Sequence, residues 1–133
     1  MRVVVHVDGG SRGNPGPAAG AAVISTPDGE RLTQASELLG VATNNVAEYR
    51  GLLLGLRRAS EMGATEVELI NDSELVAKQL SGVYKVKHPD MRPLHAQAAA
   101  ALAAFEHWSI RSVPREQNAQ ADALVNAALD AAR

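Results

Sequence analysis

The chain contains no cysteine and very few aromatic residues. Its 133 residues include one Trp, two Tyr and one Phe. Without cysteine the protein has no disulfide, no thiolate nucleophile and no cysteine-ligated zinc site. So few aromatic side chains are not expected to stack a run of unpaired bases, which argues against a single-strand-binding platform. The core must therefore be built from Val, Leu, Ile and Ala.

The sequence also lacks an apolar run long enough to span a bilayer and a charged-then-apolar leader at its start. We therefore expect no contact with membranes and a cytoplasmic location. Hydrophobic residues make up 46% of the chain, the proportion of an ordinary globular protein. At this length, residues 1–133 are expected to form one domain, with no obligatory protein partner evident.

The first segment with a clear pattern is a β-branched run that meets a carboxylate. Residues 3–8 are apolar on both faces, which predicts a central strand that ends at Asp8-Gly9-Gly10. The residues at 11–17 are typical of turns. Two extended stretches, 18–25 and 31–39, follow and predict an antiparallel meander.

Helical periodicity then replaces the strand pattern. Residues 43–62 place their apolar side chains on one side, and Gly63 is expected to end this helix. Gly51 and Gly55 each cost a helix about 1 kcal/mol, so we expect them to pack closely against another helix. The remaining elements are predicted as a strand at 67–70, a helix from Asp72-Ser73 to Leu80, a basic connection at 84–90, a helix at 92–106, a strand at 108–113, and a last helix capped by Gln117 or Asn118.

This order, βββαβααβα, predicts an α/β fold in which helices cover both faces of a mixed sheet. Asp8 and Asp72 follow strands, while Glu48 and Asp122 lie in the first turns of helices. Ligands bind beyond the carboxyl ends of parallel strands, so these acids could meet at one edge. Mg²⁺ prefers such oxygen ligands together with substrate phosphates, which indicates a phosphodiester-cleaving site.

Each acid also has an ordinary explanation, which remains open at this point. Asp8-Gly9 is a turn signal, and Glu48 completes a pattern that resembles a capping box. Asp72 is a good N-cap, and Asp122 complements a helix dipole. The net charge of −2 does not favour a nucleic-acid partner. If the four acids bind cations, however, 11 of the 15 acidic residues remain against 13 basic ones, and local charge decides.

Four segments resemble, in the right order, the successive motifs of type 1 ribonuclease H, above all its archaeal and actinobacterial-like subgroup. They are DGGSRGNPG at 8–16, TNNVAEY at 43–49, NDS at 71–73 and NAQADA at 118–123. The resemblance implies a ribonuclease H-like fold with a five-stranded mixed sheet, three antiparallel strands followed by parallel ones. It also implies endonucleolytic cleavage of the RNA strand of RNA·DNA hybrids, which leaves 5′-phosphate and 3′-hydroxyl ends.

The same resemblance makes Asp8, Glu48, Asp72 and Asp122 the catalytic residues and the ligands of two Mg²⁺ ions, with Mn²⁺ as a possible substitute. Candidates for contact with the hybrid lie in the glycine-rich loop, at the start of the first helix, in the basic connection and before the last helix. They are Gly10, Ser11, Arg12, Asn14, Asn44, Asn45, Glu74, Lys85, Lys87, Arg115 and Asn118. Helix capping is an equally good reading of Asn44.

Three positions depart from the usual pattern of that family. Asn71 stands where Ser or Thr is usual, Glu74 where many relatives have Gln, and the loop at 115–118 contains no histidine. Two other classes of function also fit the sequence: a non-catalytic hybrid-binding module, and another polynucleotidyl transferase or exonuclease on the same fold.

Overall fold

The computed structural model describes residues 1–132. The elements follow the predicted order βββαβααβα, with one short 3₁₀ helix, Arg115–Asn118, before the last α-helix. The strands and helices are β1 Arg2–Ser11, β2 Gly16–Ser25, β3 Arg31–Ala42, α1 Asn44–Glu61, β4 Glu66–Asn71, α2 Glu74–Leu80, α3 Arg92–Ala103, β5 His107–Ser112 and α4 Ala119–Ala131. None of the helices in this part of the chain is long and apolar enough to cross a membrane.

The five strands form one mixed sheet in the order β3-β2-β1-β4-β5. β1 pairs antiparallel with β2 and parallel with β4, which in turn pairs parallel with β5. α1 and α3 cover one face over a core of Val, Leu and Ala, and α4 covers β1 and β2 on the other face. The predicted five-stranded sheet with helices on both faces is therefore confirmed.

The prediction that β1 ends at Asp8 is wrong. The parallel ladder with β4 stops at the pair His6 and Ile70, but the antiparallel ladder with β2 continues to Ser11. Gly9 and Gly10 therefore belong to the strand, because β2 supplies their backbone partners. Asp8 lies just beyond the parallel ladder, at the edge where parallel strands present their ligands.

Packing of α1 also differs from the expectation. Gly51 and Gly55 face the sheet rather than another helix. A Cβ at Gly51 would lie 2.1 Å from the carbonyl oxygen of Asp8, and one at Gly55 would lie 2.8 Å from a methyl group of Val5. Since real Cβ atoms do not approach other atoms so closely, glycine is required for α1 to approach β1 to this distance.

The residues that begin the helices correct two of the ordinary readings given above and bear on the predicted cap of α4. Thr43 caps α1 by accepting from the Val46 amide at 3.2 Å, so Glu48 is not part of a capping box. Ser73 rather than Asp72 caps α2. Asn118 occupies the predicted N-cap position of α4, but its side chain makes no capping hydrogen bond. Glu48 and Asp72 thus have no capping role.

Candidate active site

Carboxylates from four separate elements meet at one cleft. Oxygens of Asp8, Glu48 and Asp72 all lie within 4.8 Å of one another. Asp8 comes from β1, Asp72 directly follows β4, and Glu48 lies near the start of α1. Asp122, in the first turn of α4, lines the same cleft, which has a volume of about 450 Å³. Distant parts of the chain therefore converge on a single acidic site.

Burial and like charge act together on these acids. Burial raises the pKa of Asp8 to about 7, and the negative charges of Asp72 and Asp122 add to the shift. Burial is also the main cause that raises the pKa of Glu48 well above its ordinary value, followed by the charges of Asp8 and Asp72. The pKa of Asp72 is raised by burial as well, although Arg115 opposes the shift. The site is therefore short of positive charge.

The donor set fits a hard divalent cation. Oε2 of Glu48 is buried and has no hydrogen-bond partner in the described part of the chain. Arg115 makes an ion pair with Asp122 at 3.2 Å, whereas no ion pair within residues 1–132 includes Asp8, Glu48 or Asp72. Carboxylate oxygens without a basic partner are the ligands that Mg²⁺ and Mn²⁺ prefer.

The glycine-rich loop between β1 and β2 is tied to the start of α1 by a chain of hydrogen bonds. The Ser11 amide donates to Oδ1 of Asn44 at 3.4 Å, and the Asn44 amide donates to Oδ1 of Asn14 at 3.1 Å. The Ser11 hydroxyl donates to the Ala42 carbonyl at 2.8 Å. The Asn14–Pro15 peptide is cis. Asn44 thus joins the loop to α1 and does not cap its own helix.

Two arginines lie along the walls of the cleft. Nη2 of Arg12 is 2.7 Å from Oδ1 of Asp130 and also reaches Asn126. Arg115 stands on the side of Asp122, and its side chain is 74% exposed. Both arginines line the same cleft, where they can meet an anion that enters it.

Comparison with known proteins assigns a family to this arrangement. A family model described as "Reverse transcriptase-like" matches residues 6–128. A Mycobacterium tuberculosis protein named as bifunctional is 51% identical over 133 residues, which are 99% of this chain and 36% of that protein. The crystal structure of RNase H1 from the halophilic archaeon Halobacterium salinarum superposes with a TM-score of 0.95 at 45% identity and 98% coverage of both chains. The chain belongs to the ribonuclease H family.

A further ribonuclease H structure is informative because of what it contains. LC11-RNase H1, crystallised in complex with an RNA/DNA hybrid, is 41% identical to this chain, with a TM-score of 0.94 and 98% coverage of both chains. The resemblance seen in the four sequence motifs is thus confirmed, and so is the ribonuclease H fold. The chain spans about a third of the length of the mycobacterial relative.

Only some of the candidate substrate residues line the cleft of this ribonuclease H chain. Gly10, Ser11, Arg12, Asn44 and Arg115 do so, and Asn14 is bonded to one of them. The others do not line it, although the side chain of Asn118 reaches Asp72 and opposes the rise of its pKa. The residues that do not line the cleft are Asn45, Glu74, Lys85, Lys87 and Asn118.

Two of these outlying residues have other partners. Glu74 is paired with Lys78 on the exposed side of α2, at 2.5 Å. Asn118 is 1% exposed, and its Nδ2 donates to the carbonyl of Val7 at 2.8 Å. Its amide therefore holds the strand that carries Asp8, which is a positioning role. Lys85 and Lys87 lie in the exposed connection between α2 and α3, and as substrate contacts they stay predictions.

Five cleft residues were missed by the sequence analysis: Gly9, Ser73, Val125, Asn126 and Leu129. Val125 and Leu129 pack on the alanines of β2, and they form one face of α4 with Asp122. Asn126 follows Asp122 by four residues, and its Nδ2 donates to the Asp122 carbonyl at 3.1 Å. This helical spacing from a candidate acid was a usable signal.

Proposed function

We propose that this chain cleaves the RNA strand of RNA·DNA hybrids as an endonuclease and leaves 5′-phosphate and 3′-hydroxyl ends. The observation that carries the proposal is the approach of the Asp8, Glu48 and Asp72 oxygens to within 4.8 Å, inside an open cleft. The ribonuclease H relative that was crystallised with an RNA/DNA hybrid supports the choice of substrate.

Asp8, Glu48 and Asp72 would hold the catalytic cations, with Asp122 completing the set at the rim of the cleft. We take the ions to be two Mg²⁺ in the presence of substrate, with Mn²⁺ as a substitute. Bound divalent cations would supply Lewis-acid stabilisation of the negative charge that develops on the phosphate and the leaving 3′-oxygen. The carboxylates themselves position and do not attack, because their oxygens are needed as ligands.

The surroundings of the carboxylates suit a hybrid duplex. RNA-containing duplexes present a wide minor groove with 2′-hydroxyl groups, which both donate and accept hydrogen bonds. Oδ1 of Asn44 is used by the Ser11 amide, so its Nδ2 remains to donate to this groove. Arg12 and Arg115 can meet phosphates, and Glu48 can accept from a 2′-hydroxyl.

A cleavage assay with matched substrates tests the proposal. End-labelled RNA·DNA hybrid, duplex DNA and duplex RNA are incubated with the chain, with and without Mg²⁺, and the product ends are mapped. We expect cleavage only of the RNA strand of the hybrid and only with the metal. Hybrid binding without cleavage in Mg²⁺ or Mn²⁺ would instead indicate a binding module, and cleavage of duplex DNA would indicate a different nuclease of this fold.

Two variants of α1 serve as a matched pair in this assay. Glu48→Gln removes a buried cleft carboxylate, and Glu61→Gln makes the same change at the exposed end of the helix. We expect Glu48→Gln to lose cleavage and Glu61→Gln to keep it. Equal activity of the two variants would contradict the assignment of the site.

The salt dependence of hybrid binding tests the basic connection. Affinity should fall as salt rises, because Lys and Arg contacts to phosphates release counterions. Replacement of Lys85 and Lys87 together by Ala should reduce the slope of log K against log salt by about 1–2. Arg57→Ala, on α1 and paired with Glu37, is the control and should leave the slope unchanged. An unchanged slope in the double variant would remove the connection from the interface.

A further inference from the structure

Three glycines bring the backbone of α1 into direct contact with the backbone of the sheet. A Cβ at Gly9 would lie 1.9 Å from the carbonyl oxygen of Ala47, and one at Gly51 would lie 2.1 Å from the carbonyl oxygen of Asp8. Gly20 is the cross-strand partner of Gly9 in β2, and a Cβ there would lie 2.8 Å from the Gly51 amide. We call Gly9, Gly20 and Gly51 the glycine contact.

This contact joins the peptide units that carry two of the cleft acids. Gly9 directly follows Asp8 and touches Ala47, which directly precedes Glu48. Asp8 and Glu48 are only 5% and 6% exposed, so both are held out of water with no basic partner to draw them together. When both groups are ionised, as cation ligands must be, they repel each other and favour separation. Their proximity must therefore be imposed by the backbones that bear them.

We propose that the glycine contact is a positioning device that sets the separation of the Asp8 and Glu48 carboxylates and thereby the affinity of the site for a divalent cation. The inference rests on the proposed function, because it assigns these residues to the cation site. Cation ligands must be held within about 0.5 Å of their productive geometry. A methyl group at Gly51, 2.1 Å from the Asp8 carbonyl oxygen, would need a displacement of about 1.3 Å to reach an ordinary contact distance, which exceeds that tolerance.

The neighbouring turn of α1 provides a matched control. A Cβ at Gly55 would lie 2.8 Å from methyl groups of Val5 and Val7, so it too is crowded against β1. Its neighbours are side-chain methyls, however, and it lies one turn farther from Glu48. Gly55→Ala should therefore lower stability without a specific effect on the carboxylates, whereas Gly51→Ala should affect both.

The test is calorimetric titration of Mn²⁺ alone into substrate-free protein, with circular dichroism and melting curves to establish folding. We expect Gly51→Ala to weaken Mn²⁺ binding about 10-fold or more, and Gly55→Ala to change it by less than about 2-fold. In hybrid cleavage, Gly51→Ala should raise the metal concentration needed for half-maximal rate while KM for the hybrid stays near the wild-type value. Gly20→Ala, where the crowding is milder, should shift metal binding in the same direction by a smaller factor.

Specific results would overturn the inference. One is a folded Gly51→Ala variant with wild-type Mn²⁺ affinity, and another is an equal loss in Gly51→Ala and Gly55→Ala. If Gly51→Ala does not fold, wild-type Mn²⁺ affinity in Gly20→Ala would also overturn the inference. Loss of the fold in Gly20→Ala, Gly51→Ala and Gly55→Ala alike would show that the glycines serve the fold alone, which would overturn it as well. A wild-type chain that neither binds Mn²⁺ nor cleaves hybrid would instead refute the proposed function itself.

Discussion

Acids on the surface and acids in the cleft have opposite environments. Glu37, on β3, accepts hydrogen bonds from both Arg50 and Arg57 at 3.4 Å, although water could solvate its charge. Asp8 and Glu48 are buried, yet neither makes an ion pair within residues 1–132. Basic partners are thus present for an exposed carboxylate, which water can solvate, and missing for buried carboxylates, which are unfavourable without a partner. The cleft is electrostatically incomplete, as a site that receives a cation should be.

The face of the sheet that α4 leaves open repeats the surface pattern. Glu68, on β4, lies 3.1 Å from Nε of Arg111 and 3.7 Å from Nη2 of Arg2. His6 is half-buried beside this pair, and burial followed by the charge of Arg111 lowers its pKa. Charge on this face is therefore balanced by the chain itself. Both regions contain acidic residues. They differ because Glu68 has basic partners, whereas Asp8 and Glu48 have none within residues 1–132.

The largest expected effect comes from removing one cleft charge. Asp8→Asn preserves the shape of the side chain but should reduce hybrid cleavage by about 10³-fold or more, because we propose Asp8 as a metal ligand. Hybrid binding should persist, since less negative charge then faces the phosphates. Glu68→Gln makes a comparable change on the open face and should alter the rate by less than about 2-fold. Single-turnover cleavage and fluorescence anisotropy measure the two quantities.

Cleavage by an Asp8→Asn preparation free of other nucleases would contradict the proposed difference between the acids of the cleft and those of the surface. So would a large loss of rate in Glu68→Gln, because it would show that the open face takes part in the reaction.

The contribution of Asp8 to the stability of the metal-free protein should fall as pH rises, which is the reverse of the usual behaviour of a carboxylate. The pKa of Asp8 is raised from 3.8 to about 7, so the folded state holds a proton that the unfolded chain has already lost. The contribution of Asp8 to the free energy of unfolding is fully present below about pH 4 and is lost as pH rises through about 7. Asp8→Asn should therefore stabilise the metal-free protein at pH 8, by up to about 4 kcal/mol.

Urea unfolding in EDTA at pH 4 and pH 8 measures this difference. The free energy of unfolding of the variant, relative to that of the wild type, should increase from pH 4 to pH 8. Added Mg²⁺ should reduce this increase, because it stabilises the wild type. A wild-type chain that is more stable than Asp8→Asn at pH 8 without metal would contradict the crowding of charge in the cleft.

Much of this molecule could be predicted from local sequence. The order of the elements follows from periodicity, since residues 43–62 have a helical repeat and residues 3–8 a strand pattern. The approach of Asp8 and Asp72 follows from a general rule, because parallel strands end at the same edge. Gly51 could be marked as a point of close approach, because glycine within a helix needs a packing reason.

The errors arise where a distant part of the chain decides the outcome. Gly9 is typical of a turn, but β2 pairs with it and α1 packs on it, so it continues a strand. A capping box was the ordinary alternative for Glu48, but Thr43 caps the helix and the tight packing of α1 places Glu48 in the cleft, as the candidate site required. Asn118 occupies the predicted N-cap position, but its side chain donates to the carbonyl of Val7, 111 residues away. Local patterns contain no information about such partners.

The smallest expected effect is the most direct check of the comparison. Glu37→Gln removes a carboxylate that two arginines share on the surface, and exposed ion pairs contribute little. The free energy of unfolding should fall by less than about 1 kcal/mol at low salt and by still less at high salt, where screening weakens the pairs. Urea unfolding at two salt concentrations measures this change, and a loss above about 2 kcal/mol would contradict it. Asp8→Asn also replaces a carboxylate by an amide, but it should raise the free energy of unfolding at pH 8. The two variants together therefore distinguish an acid that has basic partners in the fold from one that has none.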